Sequence, residues 1–182
     1  MLELVIPSAE FFDEDAQEFR YTKEHKLRLE HSLLSLAKWE SKWHKPFFSK
    51  DQKTPEETLD YIRFMTISPA PDPLVYSLIT SDIIARINAY IDDPMTATTF
   101  REFPNQNKSR HQETITAEII YYWMIALAIP FECQKWHLNR LLTLIRVTNI
   151  KSSPSKKMSK REIREQNAIL NAQRRARLHT KG

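Results

Sequence analysis

Residues 114–147 read TITAEIIYYWMIALAIPFECQKWHLNRLLTLIRV, and two helices can be drawn through them. From Thr114 to Ile129 the residues Ile119, Ile120, Tyr121, Tyr122, Trp123, Met124, Ile125 and Leu127 fall on almost every side of a helix. Such a segment is expected to be covered by neighbours. Pro130 predicts the start of a second helix, with Trp136, Leu138, Leu141, Leu142, Leu144, Ile145 and Val147 on one wide face. Helix, proline turn and helix form an αα-hairpin whose apolar faces pack together. The longest apolar run, Ile115 to Ile129, carries Glu118 and stops at Pro130, too short for a membrane span.

Toward the N-terminus the pattern changes to short strands. Leu2–Ile6 is a strand stopped by Pro7, and 18–22 and 26–31 alternate apolar with polar residues. The acidic Asp13-Glu14-Asp15 reads as a turn before them. Ser32 is a suitable N-cap for a helix carrying Leu33, Leu36, Ala37 and Trp43. Thr54-Pro55-Glu56-Glu57 is a capping box with proline at the first helical position, ahead of Leu59, Ile62 and Phe64 or Met65. Ser68-Pro-Ala-Pro-Asp-Pro73 ends that helix, and further helix is expected just after Pro73 and over 82–91. Residues 92–100 read as a loop, followed by a polar stretch through Arg110.

The sequence thus divides into a β element over 1–31, a helical body over 32–150, a polar linker over 151–158 and a basic helix over 159–182. The expected fold class is α+β, mostly α: a small N-terminal antiparallel β element, a helical bundle and a C-terminal basic helix.

Composition removes several chemistries. The only glycine among 182 residues is Gly182. Phosphate-binding loops, dinucleotide turns and nucleophile elbows all need glycine where the backbone turns sharply or approaches a ligand. The single cysteine, Cys133, leaves no intramolecular disulfide and no multi-cysteine zinc site, and fits a reducing compartment. The first residues lack the basic start and long apolar core of a secretory signal.

Candidate catalytic groups are few. Cys133 and His137 stand four apart, on one face if helical, as a thiol–imidazole pair or half a metal site; a small buried thiol explains the cysteine as well. His44 lacks an identifiable nucleophile and orienting carboxylate. Glu56, Glu57 and Asp60 complement the dipole at a helix start. Trp39, Trp43, Phe47 and Phe48 have the spacing of a core or a docking face. No enzymatic activity, cofactor or metal is expected.

Charge is unevenly placed. The net charge is +4, yet residues 151–182 alone carry +8, so a mildly acidic body bears a basic tail. Arg161, Arg164, Arg174, Arg175 and Arg177, with Asn167 and Asn171, have the residue types of a DNA-reading helix, but no zipper follows. The same helix can bind phosphates without sequence preference, pair with protein carboxylates, or simply be solvated.

The chain resembles the tail assembly chaperones of long-tailed bacteriophages. The resemblance lies in 27–43 (LRLEHSLLSLAKWESKW), 92–100 (DDPMTATTF), 121–142 (YYWMIALAIPFECQKWHLNRLL) and 171–175 (NAQRR). It rests on overall pattern, because the family has no catalytic motif. It implies a non-enzymatic protein of virion morphogenesis that binds the helical tape-measure protein, keeps it soluble and helps recruit tail-tube subunits. The implied location is the cytoplasm of the infected host, or the virion, and homo-oligomers are compatible with it. Partner-binding residues expected on this reading are Trp39, Trp43, Trp123, Trp136, Arg161, Arg164, Arg174, Arg175 and Arg177. The alternatives are a nucleic-acid-binding module using residues 151–182, and a permanent structural protein of the tail or neck.

Overall fold

Alternation of apolar and polar residues builds four strands at the start of the chain: β1 (Leu2–Ile6), β2 (Ala9–Asp13), β3 (Glu18–Thr22) and β4 (His25–Leu29). β1 pairs antiparallel with β4, and β2 with β3, so a ribbon folds back on itself in two sections. At the join, the Ala9 N–H donates to Thr22 Oγ1 (3.3 Å) and that hydroxyl donates to the Ala9 carbonyl (3.2 Å). In the first section Leu4, Ile6, Leu27 and Leu29 are buried while Glu3, Val5, Lys26 and Arg28 face out, as a strand period of two requires. The sequence reading missed β2, whose Glu10-Phe11-Phe12 does not alternate. The structure, a computed structural model, describes residues 1–13, 17–69, 71–100, 114–152 and 160–178. The expected turn therefore lies mostly outside the described residues, as do the polar stretch 101–110 and most of the linker.

The rest is helical: α1 (Leu33–Trp43), α2 (Pro55–Met65), α3 (Leu74–Ser77), α4 (Ser81–Asp92), α5 (Ala117–Ala126), α6 (Leu138–Ser152) and α7 (Lys160–Leu178). The protein is α+β, mostly helical, with a small antiparallel β element at its N-terminus. The expected N-cap at Ser32 and the expected capping box at Thr54 both form, while a further capping box expected at Ser159-Lys-Arg-Glu162 begins outside the described residues. Ser32 caps α1 with the Ser35 hydroxyl taking the place a glutamate often fills, and Thr54 caps α2 with Glu57 returning to its N–H at 2.8 Å.

The chain divides into two compact units, 1–148 and 149–182. In the first, strands and helices share one core. Leu4, Ile6, Leu27, Leu29, Leu33, Leu36, Met65, Ile87, Ile120, Met124 and Leu138 are all buried in it. The β4–α1 junction organises that core. Glu30 N–H donates to the Met65 carbonyl (2.9 Å), Ile67 N–H to Arg28 (2.9 Å) and Leu138 N–H to His31 (2.7 Å). One extended segment thereby holds the end of α2 and the start of α6. In the second unit α7 is a helix exposed along most of its length.

The helical hairpin differs from expectation. The first helix is shorter than 114–129, and Pro130 does not open a long second one. Ala128 adopts φ 52°, the left-handed conformation, and Ile129 N–H reaches back to the Met124 carbonyl (2.8 Å). A 3-10 helix over Phe131–Lys135 follows, then extended Trp136, and α6 begins only at Leu138. The reason is the junction: His137 forms a bridge with Ser32, and the Leu138 N–H is taken by His31. Tertiary hydrogen bonds outweigh the local helical preference there.

Left-handed backbone without glycine costs about 1 kcal/mol or more per site. His44, which ends α1 at φ 52°, Met95 and Ala128 all bear this strain. Ala128→Gly is expected to stabilise the protein by about 1 kcal/mol in urea unfolding, net of the greater freedom of the unfolded chain. Destabilisation by that substitution would contradict the backbone argument.

Candidate functional site

α5 is apolar on nearly all sides, yet only one side is covered. Ala117, Ile120 and Met124 are buried, whereas Tyr122 is 66% and Ile125 64% exposed. Tyr122 and Ile125 share a stripe with exposed Glu118, at i, i+4 and i+7. The 3-10 turn then presents Phe131, 52% exposed, with its ring centroid 6.3 Å from that of Tyr121. The expectation that neighbours enclose this helix is therefore corrected: among the described residues the packing ends halfway round it. Large exposed apolar side chains grouped on one element mark an interaction surface more often than scattered ones do.

A buried carboxylate fixes where α5 starts. Thr116 supplies no side-chain cap; instead Glu40 of α1 accepts from Ala117 N–H (2.7 Å) through one oxygen and from Phe47 N–H (2.7 Å) through the other. A carboxylate at a helix N-terminus satisfies free N–H groups and complements the dipole. Glu40 thus ties the α1–α2 connection and α5 to the same turn of α1.

The expected partner-binding tryptophans occupy different environments. Trp39 is buried, and its Nε1–H donates to the Glu57 carbonyl at 2.8 Å, so it belongs to the core and offers no surface. Trp43 is half-buried with the Lys42 ammonium 5.4 Å from its ring centroid. Trp123 is half-buried against the core, and Trp136 is half-buried under the Arg140 guanidinium, 4.4 Å from its ring centroid. Arg161, Arg164, Arg174, Arg175 and Arg177 are all exposed on α7. Arg161 pairs with Glu165 (3.0 Å), while Arg174, Arg175 and Arg177 form no ion pair among the described residues.

The acidic group at the start of α2 is more than a dipole complement. Glu57 and Asp60 are buried: Glu57 pairs with Lys45 (2.6 Å), and Asp60 with Lys42 and with Arg63 (3.1 Å). The bond from Lys45, then that from the Thr54 N–H, holds the Glu57 carboxyl below its ordinary range. At Asp60 burial pushes the carboxyl up, but its two cationic partners prevail and the net shift is downward. Glu56 is exposed.

Cys133 and His137 do not share a helical face, because the 3-10 turn and extended Trp136 intervene. Among the described residues no cluster of three or more His, Cys, Asp or Glu has the arrangement of a metal site. His137 instead meets His31, their ring centroids 5.1 Å apart, both buried. His31 Nδ1 hydrogen-bonds the Tyr61 hydroxyl (2.6 Å), and His137 Nε2–H donates to the Tyr90 carbonyl (3.0 Å). Tyr90 in turn donates to Glu30 (2.6 Å), whose other oxygen meets the N-terminal ammonium (2.9 Å). Sequence reasoning overlooked His31. The signal was its parity: Leu27, Leu29 and His31 continue one inward-facing alternation.

With this geometry established, comparison with known proteins adds no relative: no protein family, curated protein or solved structure matches the chain.

The histidine pair predicts acid sensitivity. Burial, then the neighbouring His137, lowers the His31 pKa to about 3, and burial lowers His137 despite the Tyr90 carbonyl. Below the unfolded value of 6.5 the unfolded chain binds protons that the folded chain refuses. Stability therefore falls as pH drops from 6.5 toward about 3, by about 1.4 kcal/mol per pH unit for His31, and the lowered His137 acts in the same direction. Urea midpoints should decline between about pH 7 and pH 5, above the carboxylate range, and His31→Gln should flatten that decline. A midpoint constant over this interval would contradict the neutral buried pair.

Proposed function

We propose that this chain is a non-enzymatic assembly factor that binds another polypeptide. Its resemblance is to the tail assembly chaperones of long-tailed bacteriophages, with the tape-measure protein as the client. The observation that carries the reading is the exposed side of α5 with Tyr122 and Ile125, followed by exposed Phe131 in the 3-10 turn. Apolar side chains so placed gain by meeting the apolar stripe of a client helix, at roughly 25 cal/mol per Å² of apolar surface removed from water. A client built of long amphipathic helices needs such a cover until it is assembled.

Co-expression with the tape-measure protein should give a soluble complex. Tyr122→Asp combined with Ile125→Asp, both at exposed positions, should lower client recovery about tenfold while leaving the body folded. A client equally soluble without this chain, or recovery unaffected by the double substitution, would contradict the reading.

A second reading has its own observation: Arg174, Arg175 and Arg177 are exposed within the last turns of α7. They suit phosphate contacts, which release counterions and therefore weaken steeply with salt. Under this reading duplex DNA is shifted in an electrophoretic assay at low salt and released at higher salt, and removal of residues 151–182 abolishes the shift. A shift insensitive to salt, or unchanged by the truncation, eliminates it.

A further inference from the structure

A second apolar feature lies between α2 and α4, distinct from the α5 face. It is a cavity of about 740 Å³. From α2 it is lined by Pro55, Thr58, Leu59, Ile62 and Tyr61, and from α4 by Ile84, Ile87, Asn88 and Ile91. The two ridges have the same spacing: 55, 58, 59, 62 and 84, 87, 88, 91 each follow i, i+3, i+4, i+7. Each ridge therefore extends about 10 Å, two helical turns at about 1.5 Å per residue. Two ridges of matching spacing that line one cavity, closed further by Phe47, Tyr76 and Ile79, suit a third helix, whose own i, i+3, i+7 side chains span the same length.

The charge at one end specifies the occupant further. Lys53, just before the Thr54 cap, also lines the cavity. Its ammonium lies 4.1 Å from the Phe47 ring centroid and donates to the Phe47 carbonyl (2.8 Å). An ammonium has three donors, and among the described residues no carboxylate lies within ion-pair distance of this one. Nearby Glu57 is paired with Lys45 instead. Burial lowers the Lys53 pKa, and Glu57 opposes this only in part. Among the described residues no acidic one lines the cavity. A half-buried cation on an apolar trough gains most from a carboxylate that arrives with the ligand.

We infer that the α2–α4 groove is a docking site for one amphipathic helix of a partner protein, with apolar side chains at i, i+3 and i+7 and an acidic residue at the end that meets Lys53. This site is independent of the α5 face and stands whether or not that face binds a client.

The test uses the full chain and a synthetic helical peptide of about fifteen residues, with leucines at i, i+3 and i+7 and glutamate in its end turn. Companion peptides carry glutamine or lysine in place of the glutamate. Fluorescence anisotropy should show saturable binding of the acidic peptide, about tenfold weaker binding of the glutamine form, and weaker binding still of the lysine form. Lys53→Met, which keeps the aliphatic stem, should erase the differences among the peptides. Asn88→Asp, at an exposed rim position, should weaken the acidic peptide selectively and supplies the reading if Lys53→Met fails to fold. Tyr122→Asp should leave all three affinities unchanged, separating this site from the α5 face. Equal affinity for acidic and lysine peptides, or no binding of any, overturns the inference. So does binding of dodecanoate in the groove where the acidic peptide does not bind, which would make the occupant a small amphiphile. Self-association abolished by Ile91→Asp, without peptide binding, would assign the groove to a second copy and overturn it equally.

Discussion

Everything in the body depends on an extended segment of about five residues, Arg28 to Ser32, that is a strand at one end and a helix cap at the other. Its backbone accepts from Ile67 and Leu138 and donates to Met65, so the end of α2 and the start of α6 are fixed to β4 without a continuous sheet. Two short antiparallel strands are marginal alone in water. Here the ribbon gains its stability by contributing Leu4, Ile6, Leu27 and Leu29 to a helical core. Glu40, two turns into α1, extends the arrangement to the N-terminus of α5. Strand, cap and carboxylate form one continuous support for three helices.

That support explains why the remaining apolar surface is left uncovered. The junction holds the beginning of α6, and Glu40 holds the beginning of α5, so the buried side of each helix is determined near its start. Tyr122 and Ile125 then face away from the core by helical geometry alone, and remain exposed among the described residues of the 1–148 unit. Outward apolar groups cost solubility unless another surface removes them from water. The proposed role as a holder of helical polypeptide gives that exposure a use. The absence of glycine before Gly182 is consistent with a body whose bends are imposed by packing: His44, Met95 and Ala128 take left-handed backbone that glycine would take more easily.

What the sequence made legible was local. The caps at Ser32 and Thr54, the strand alternation from Leu27 onward and the stop at the proline-rich 68–73 segment all depend on residues a few positions apart, and each was readable. The partners of Glu40 were not, because Phe47 and Ala117 lie 7 and 77 residues away. Pro130 misled for a related reason: its local preference for opening a helix was overridden by the bond from Leu138 to His31, across more than a hundred residues. Trp39 and Trp43 look alike in sequence, four apart on one helix, yet only Trp39 finds a buried acceptor, the Glu57 carbonyl. The uncovered side of α5 was hidden by its composition. A helix apolar all round reads as enclosed, and only packing reveals which side has no neighbour.

The central claim is that a rigidly held body presents uncovered apolar helical surface to a polypeptide partner without rearranging. Amide hydrogen exchange, followed in the chain alone and in its complex with a co-expressed helical client, tests this most directly. The account predicts slow exchange at Glu30, Ile67, Leu138 and Ala117 in both states, with new protection over 117–131 in the complex. Loss of protection at those four amides on binding, or new protection confined to 160–178, would contradict it.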